Sequence, residues 1–96
     1  MIAVIATVSL KPGSEAKFFE LFRQLKVEVD ANEPGTLQYG LYRSRDNEAS
    51  FKIIEHYAST EAWMAHKAAD YTRETVPKLH KLFDKAAAEI LDSIED

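Results

Sequence analysis

The ten residues KAAAEILDSI, Lys85 to Ile94, decide the fold. Alanine, glutamate and leucine favour helical backbone, so local propensity reads the segment as helix. Ala88, Ile90 and Ile94 fit the alternation of a strand equally well. The elements upstream settle the choice. Without this segment the chain offers strand, helix, hairpin and helices, which leaves an odd sheet. A closing strand completes the order βαββαβ, a ferredoxin-like α+β fold with a four-stranded antiparallel sheet. Topology therefore predicts a strand over 86–94, against the local signal.

The first strand is IAVIATVSL, residues 2–10, with Ile2, Val4, Ala6, Val8 and Leu10 on one face. Lys11-Pro12-Gly13 ends it, and Ser14 is placed to cap a following helix with its side chain. Phe18, Leu21, Phe22, Leu25 and Val29 recur at helical spacing, with Glu20, Arg23, Lys26 and Asp30 outside. Pro34 and Gly35 stop that helix near Asn32. TLQYGLYRSR, residues 36–45, reads as a strand with Leu37, Tyr39 and Leu41 on one face. Asp46-Asn47-Glu48 turns it into a second strand, Phe51 to Ala58, whose two faces hold Phe51, Ile53, Glu55, Tyr57 and Lys52, Ile54, His56, Ala58. Ser59 or Thr60 caps a helix from Glu61 to about Ala69. Because Pro77 removes a helical hydrogen bond, residues 70–83 form a second segment, kinked or begun afresh, with Val76, Leu79 and Phe83 as its apolar edge.

At 96 residues the chain suits one domain, 1–96, with a thin core. The formal charge is −4, and twelve basic residues lie scattered among sixteen acids, so no basic stripe offers itself to nucleic acid or anionic lipid. No run approaches the roughly 20 apolar residues of a membrane span. With no cysteine there is neither a disulfide framework nor a thiolate ligand or nucleophile. The three glycines lie far apart and form no phosphate loop. The first residues lack a basic leader and a small-residue cleavage pattern, and the reading is of a cytoplasmic protein.

A four-stranded sheet with its helices on one side leaves its other face bare, and here both faces carry large apolar or aromatic groups. A second copy of the chain is the simplest cover, giving a two-fold homodimer.

Polar and aromatic residues crowd together in IIEHYASTEAWMAH, residues 53–66: Glu55, His56, Tyr57, Trp63 and His66. Alternation places His56 opposite Glu55 and Tyr57, on the side of the expected dimer interface, while helical spacing joins Trp63 to His66. His66 has two readings, a catalytic or substrate-contacting group, or a packing residue whose ring nitrogen caps a backbone group. Glu55 is an acid near a pocket, or a partner in a salt bridge to Arg43 or Lys52. Trp63 is core or a platform for a flat substrate. Arg43 and Arg45 are hairpin residues that could meet an anion, and His80 is a solvated residue of a charged helix. The three histidines share no short ligand spacing, so no metal site is expected.

The run EPGTLQYGLYRSRDNEASFKIIEHYASTEAWMAH, residues 33–66, resembles the antibiotic biosynthesis monooxygenase family, including its quinol monooxygenases. The matching positions are Glu33, Gly35, Leu37, Tyr39, Leu41, Tyr42, Arg43, Ser44, Phe51, Glu55, Tyr57, Ala62 and His66. The resemblance implies a dimeric α/β barrel, two ferredoxin-like subunits apposed sheet to sheet, and a small cavity between sheet and helices in each. It also implies oxidation of a quinol or related small aromatic by O₂ without metal, flavin or other cofactor. His66 is then the base or hydrogen-bond donor, Trp63 a wall, and Tyr57, Tyr71 and Tyr39 hydrogen-bond donors to substrate oxygens. Two other functions fit the same scaffold, an isomerase of small oxygenated metabolites and a non-catalytic stress or ligand-binding dimer. The chain departs from the family pattern where Tyr57 replaces a usual tryptophan and Tyr71 a second histidine. The haem-degrading members' asparagine, tryptophan and histidine set is also missing.

Overall fold

The computed structural model describes residues 1–95. Its elements are β1 (Ile2–Leu10), α1 (Glu15–Asn32), β2 (Thr36–Arg43), β3 (Ser50–Tyr57), α2 (Thr60–Ala68), α3 (Asp70–His80) and β4 (Phe83–Asp92). They build one antiparallel sheet in the order β2-β3-β1-β4, the ferredoxin-like arrangement with its second helix divided in two. The ambiguous C-terminal segment is a strand, starting at Phe83 and ending at Asp92. Its pairing explains why topology prevails over propensity. β1 is central, and residues Ile2 to Ser9 bond β3 on one side and β4 on the other. A helix in place of β4 would leave one whole edge of β1 without backbone partners.

Register sorts the faces. Val4 opposes both Glu55 and Ile90, and Ala6 opposes Ile53 and Ala88, so these residues share the inner face. Against that face α1 lays the stripe Phe18, Leu21, Phe22, Leu25 and Val29, all buried, and α3 adds Leu79. Phe18 meets Phe51 and Phe83 edge-on, each at 5.8 Å between ring centroids. The outer face, with Ile5, Ile54, His56 and Tyr42, has no helix over it; Tyr42 and Leu91 are exposed there. His56 thus lies opposite Glu55 and Tyr57, as alternation predicts.

Four local expectations are corrected. Ser14 adopts helical backbone itself (φ −93°, ψ −5°) and makes no side-chain cap, since capping geometry needs an extended residue at that position. Leu37 is exposed because the register shifts between Thr36 and Gln38, turning it off the inner face. The second segment does begin afresh at Asp70, but the break is made by Ala69, which is extended (φ −62°, ψ 140°), and Pro77, exposed, lies inside α3. Phe83 opens β4 rather than closing a helix.

Candidate functional site

Glu33 is the first residue past α1. Its N–H still bonds Val29 O, but its backbone has left the helical region (φ −123°, ψ 82°), and Pro34 and Gly35 turn the chain into β2. Gly35 is needed here. A Cβ on it would lie 2.7 Å from Ala62 Cβ, so its absence lets α2 settle against the turn. Ser59 starts α2, its Oγ accepting the Ala62 N–H at 3.1 Å. One full turn beyond Ala62 on the same face comes His66.

The result is a carboxylate with three side-chain donors around it. Glu33 accepts from Thr36 Oγ1 (2.6 Å), from His66 Nδ1 (2.9 Å to Oε1 and 3.1 Å to Oε2), and from the Tyr71 hydroxyl. The His66 and Glu33 side chains are only 5% and 9% exposed, so water screens this pairing little. An ionised carboxylate can only accept, which fixes the proton of a neutral His66 on Nδ1 and leaves Nε2 as a lone-pair acceptor. No other described side chain hydrogen-bonds that nitrogen.

His66 forms part of the wall of a cavity of about 600 Å³ between the sheet and α2/α3. Val4, Tyr39 and Glu55 come from the sheet, Trp63 and Lys67 from α2, and Thr72, Arg73, Val76 and Pro77 from α3. A second chamber of about 340 Å³ shares Val4, Tyr39, Glu55 and Val76 with the first and runs toward Ala86–Ala88 of β4. Small side chains on β4 leave that room.

Glu55 lies where the chambers meet and accepts from the Tyr57 hydroxyl. Burial holds its carboxyl above the usual carboxylate range, opposed in part by the Tyr57 hydrogen bond and the nearby His66. The Tyr39 hydroxyl is pushed well up, first by burial and then by the charges of Glu55 and Glu33. Its ring stacks on Phe22 at 5.3 Å and lies 5.1 Å from the His66 ring. Thr72 Oγ1 is buried with no hydrogen-bond partner among the described residues.

Of the residues singled out in the sequence, His66, Trp63 and Tyr39 line the cavity together. Tyr57 is fully buried, its ring 5.4 Å from that of His66 and its hydroxyl on Glu55. Tyr71 is half-buried with its hydroxyl on Glu33, and burial followed by that bond pushes its pKa up. The expected salt bridge of Glu55 to Arg43 or Lys52 does not form. Lys52 is on the outer face, bonded to Thr7 Oγ1 at 2.8 Å, and Arg43, opposite Phe51 at the far end of the hairpin, pairs with Glu15 at 2.6 Å. Exposed His80 borders the second chamber. Among the described residues no three His, Asp or Glu side chains converge as metal ligands, and no helix is long and apolar enough to cross a membrane.

Sequence reasoning left out Glu33 as a site residue, together with Lys67, Thr72 and Arg73. For Glu33 one signal was present, an acid at the end of a helix directly before Pro-Gly, where the turn can aim it inward.

Residues 1–78 match the family model described as antibiotic biosynthesis monooxygenase. A candidate antibiotic biosynthesis monooxygenase of Caulobacter crescentus CB15 is 36% identical, with a TM-score of 0.89 over 98% of this chain and 90% of that one. A conserved protein of Methanosarcina mazei Go1 is 26% identical, with a TM-score of 0.88 over 96% of this chain and 91% of that one. Rv0793 of Mycobacterium tuberculosis shares the fold at 22% identity, with a TM-score of 0.87 over 99% and 96% of the two chains. No protein of curated function matches the sequence.

Proposed function

Because this chain belongs to the antibiotic biosynthesis monooxygenase family, we propose that it is a cofactor-independent monooxygenase that oxidises a quinol or related electron-rich aromatic with O₂. The observation that carries the reading is the buried Glu33–His66 pair in the wall of a 600 Å³ cavity, with no described side chain hydrogen-bonded to Nε2. A cavity of this size suits a small aromatic molecule.

In this reading the substrate hydroxyl gives its proton to His66 Nε2, and the Glu33 carboxylate on Nδ1 stabilises the imidazolium that forms. The resulting phenolate is electron-rich enough to reduce O₂ itself. One oxygen atom replaces a ring C–H hydrogen and becomes a carbonyl, and the other leaves as water. A phenol and O₂ thus give a quinone and H₂O, with all four electrons drawn from the substrate. Trp63 and Tyr39 flank the ring as flat walls. Tyr71 and Thr36 act through Glu33, and Tyr57 through Glu55, rather than on the substrate.

The chain acts as a cytoplasmic homodimer in this proposal, its partner covering the outer face around Ile5, Ile54 and Tyr42. Arg73 on the cavity wall favours a second reading, isomerisation of a small oxygenated metabolite. Oxygen uptake with a panel of hydroquinones and naphthols separates the two. Uptake by the wild type and a loss of about 100-fold or more in His66→Ala support the oxygenase. No uptake on any member of the panel, or unchanged uptake in His66→Ala, removes it.

A further inference from the structure

The cavity is electrically polarised. Its floor carries the Glu55 carboxyl, beside the Glu33–His66 pair, and its rim carries two cations, Lys67 from the last turn of α2 and Arg73 from the end of the first turn of α3. Neither cation meets an acid among the described residues, although Lys26 and Arg43 elsewhere are both salt-bridged. Lys67 Nζ lies 4.1 Å from the Trp63 ring centroid, which holds the ammonium beside this wall of the cavity. Arg73 is also placed against the helix dipole, which disfavours a cation in the first turn unless an anion is close.

Resting on the oxygenase reading, we infer that the substrate is an aromatic acid, a phenol or quinol bearing a carboxylate that is held at the rim by Arg73 and Lys67. The guanidinium supplies a planar pair of N–H donors that matches a carboxylate, and the ammonium adds charge beside it. The same polarity sets orientation. Glu55 repels the carboxylate from the floor, so the opposite, hydroxyl-bearing end of the ring is the one that reaches His66. The two cations thus choose which ring position is oxidised as well as which substrate enters.

The test uses probes that do not react with O₂, a naphthoate anion and the neutral naphthamide of the same shape. Trp63 is the only tryptophan, so its indole N–H gives one signal in a nitrogen–proton correlation spectrum and reports occupancy of this cavity directly. We expect the naphthoate to bind about tenfold more tightly than the naphthamide, as one charge-assisted contact would give. In the double variant Lys67→Gln/Arg73→Gln, and in high salt, that advantage should shrink to about twofold or less while naphthamide affinity holds. Both positions are exposed, and the dispersion of the same spectrum confirms that the variant is folded. Equal affinity for the two probes, an advantage that survives in the double variant, or an indole signal that neither probe moves would each overturn the inference. Failure of the oxygenase reading looks different. A naphthoate preference with no phenolic acid consuming O₂ leaves the anion site standing and removes the oxidation. Uptake on neutral quinols with equal probe affinities does the reverse.

Discussion

Replacing Glu33 by glutamine keeps the shape of the side chain and removes its charge. The carboxylate accepts from Thr36, His66 and Tyr71, and at 9% exposure solvent can replace little of what is lost. Hydrogen bonds to a charged group are worth about 1.5–3 kcal/mol and neutral ones about 0.5–1.5, so weakening this set should cost about 2–3 kcal/mol. For a domain of this size that lowers Tm by about 10–20 °C. The chemical effect is separate. One amide oxygen can still accept, but the amide N–H₂ must face a former donor. The hydroxyls of Thr36 and Tyr71 can rotate to receive it, whereas His66 can do so only by moving its proton from Nδ1 to Nε2. Because His66 Nδ1 lies within 3.1 Å of both Glu33 oxygens, the amide N–H₂ meets it in either orientation and favours the Nε2–H tautomer. That tautomer has no lone pair on Nε2 for a substrate proton, and turnover of a phenolic substrate should fall about 100-fold or more. Thermal unfolding by circular dichroism gives the first number. Long-range nitrogen–proton NMR of the His66 ring gives the tautomer, a readout that simple loosening of the fold would not shift from one nitrogen to the other. An Nε2–H tautomer in the wild type, or the same tautomer in both proteins with Tm unchanged, would refute the reasoning.

Three further outcomes follow from the same geometry. Gly35→Ala should destabilise the protein by about 1–3 kcal/mol through its clash with Ala62. Adding Ala62→Gly should recover part of that loss, less about 1 kcal/mol for glycine in a helix; chemical denaturation of the single and double variants checks both. Glu55 is held above the usual carboxylate range by burial, so the folded protein binds the proton more tightly than the unfolded chain. Stability therefore falls as pH rises from the ordinary carboxylate value through the raised one, and Glu55→Gln should be the more stable protein at neutral pH and no different in strong acid; unfolding followed as a function of pH decides it. Ile54→Glu places a charge at the centre of the outer sheet face, and under the proposed interface sedimentation should show a dimer for the wild type and a folded monomer for the variant; a wild-type monomer at micromolar concentration removes that interface.

The fold was legible where it depends on period. The α1 stripe and the two faces of the hairpin can be read directly from spacing, and β4 from the odd sheet that its absence would leave. What failed was local backbone detail: whether Ser14 would be extended or helical, and how a register shift would turn Leu37 outward. The Glu33 cluster was invisible for another reason. Its members come from positions 33, 36, 66 and 71, and no periodicity relates the first two to the last two. The family resemblance offers Tyr57 and Tyr71 as donors to a substrate, but each hydroxyl is already committed to a carboxylate of the chain itself. The Tyr57 partner, Glu55, lies two positions away on the same face of β3, whereas the Tyr71 partner, Glu33, is set by how α3 packs beside the end of α1.

The extended residue Ala69 divides what would otherwise be one helix of about twenty residues, and the division has an angular consequence. On an unbroken helix His66 and Tyr71, five positions apart, would point about 140° away from each other. A single carboxylate could not then be addressed by both. By resetting the rotation between two short helices, one peptide unit converts residues from opposite azimuths into joint ligands of Glu33. Inserting one helical residue between Asp70 and Tyr71 would swing Tyr71 by about 100° around α3 and take it off the carboxylate. The length of this joint, as much as the identity of the side chains, therefore determines whether the His66 ring is held.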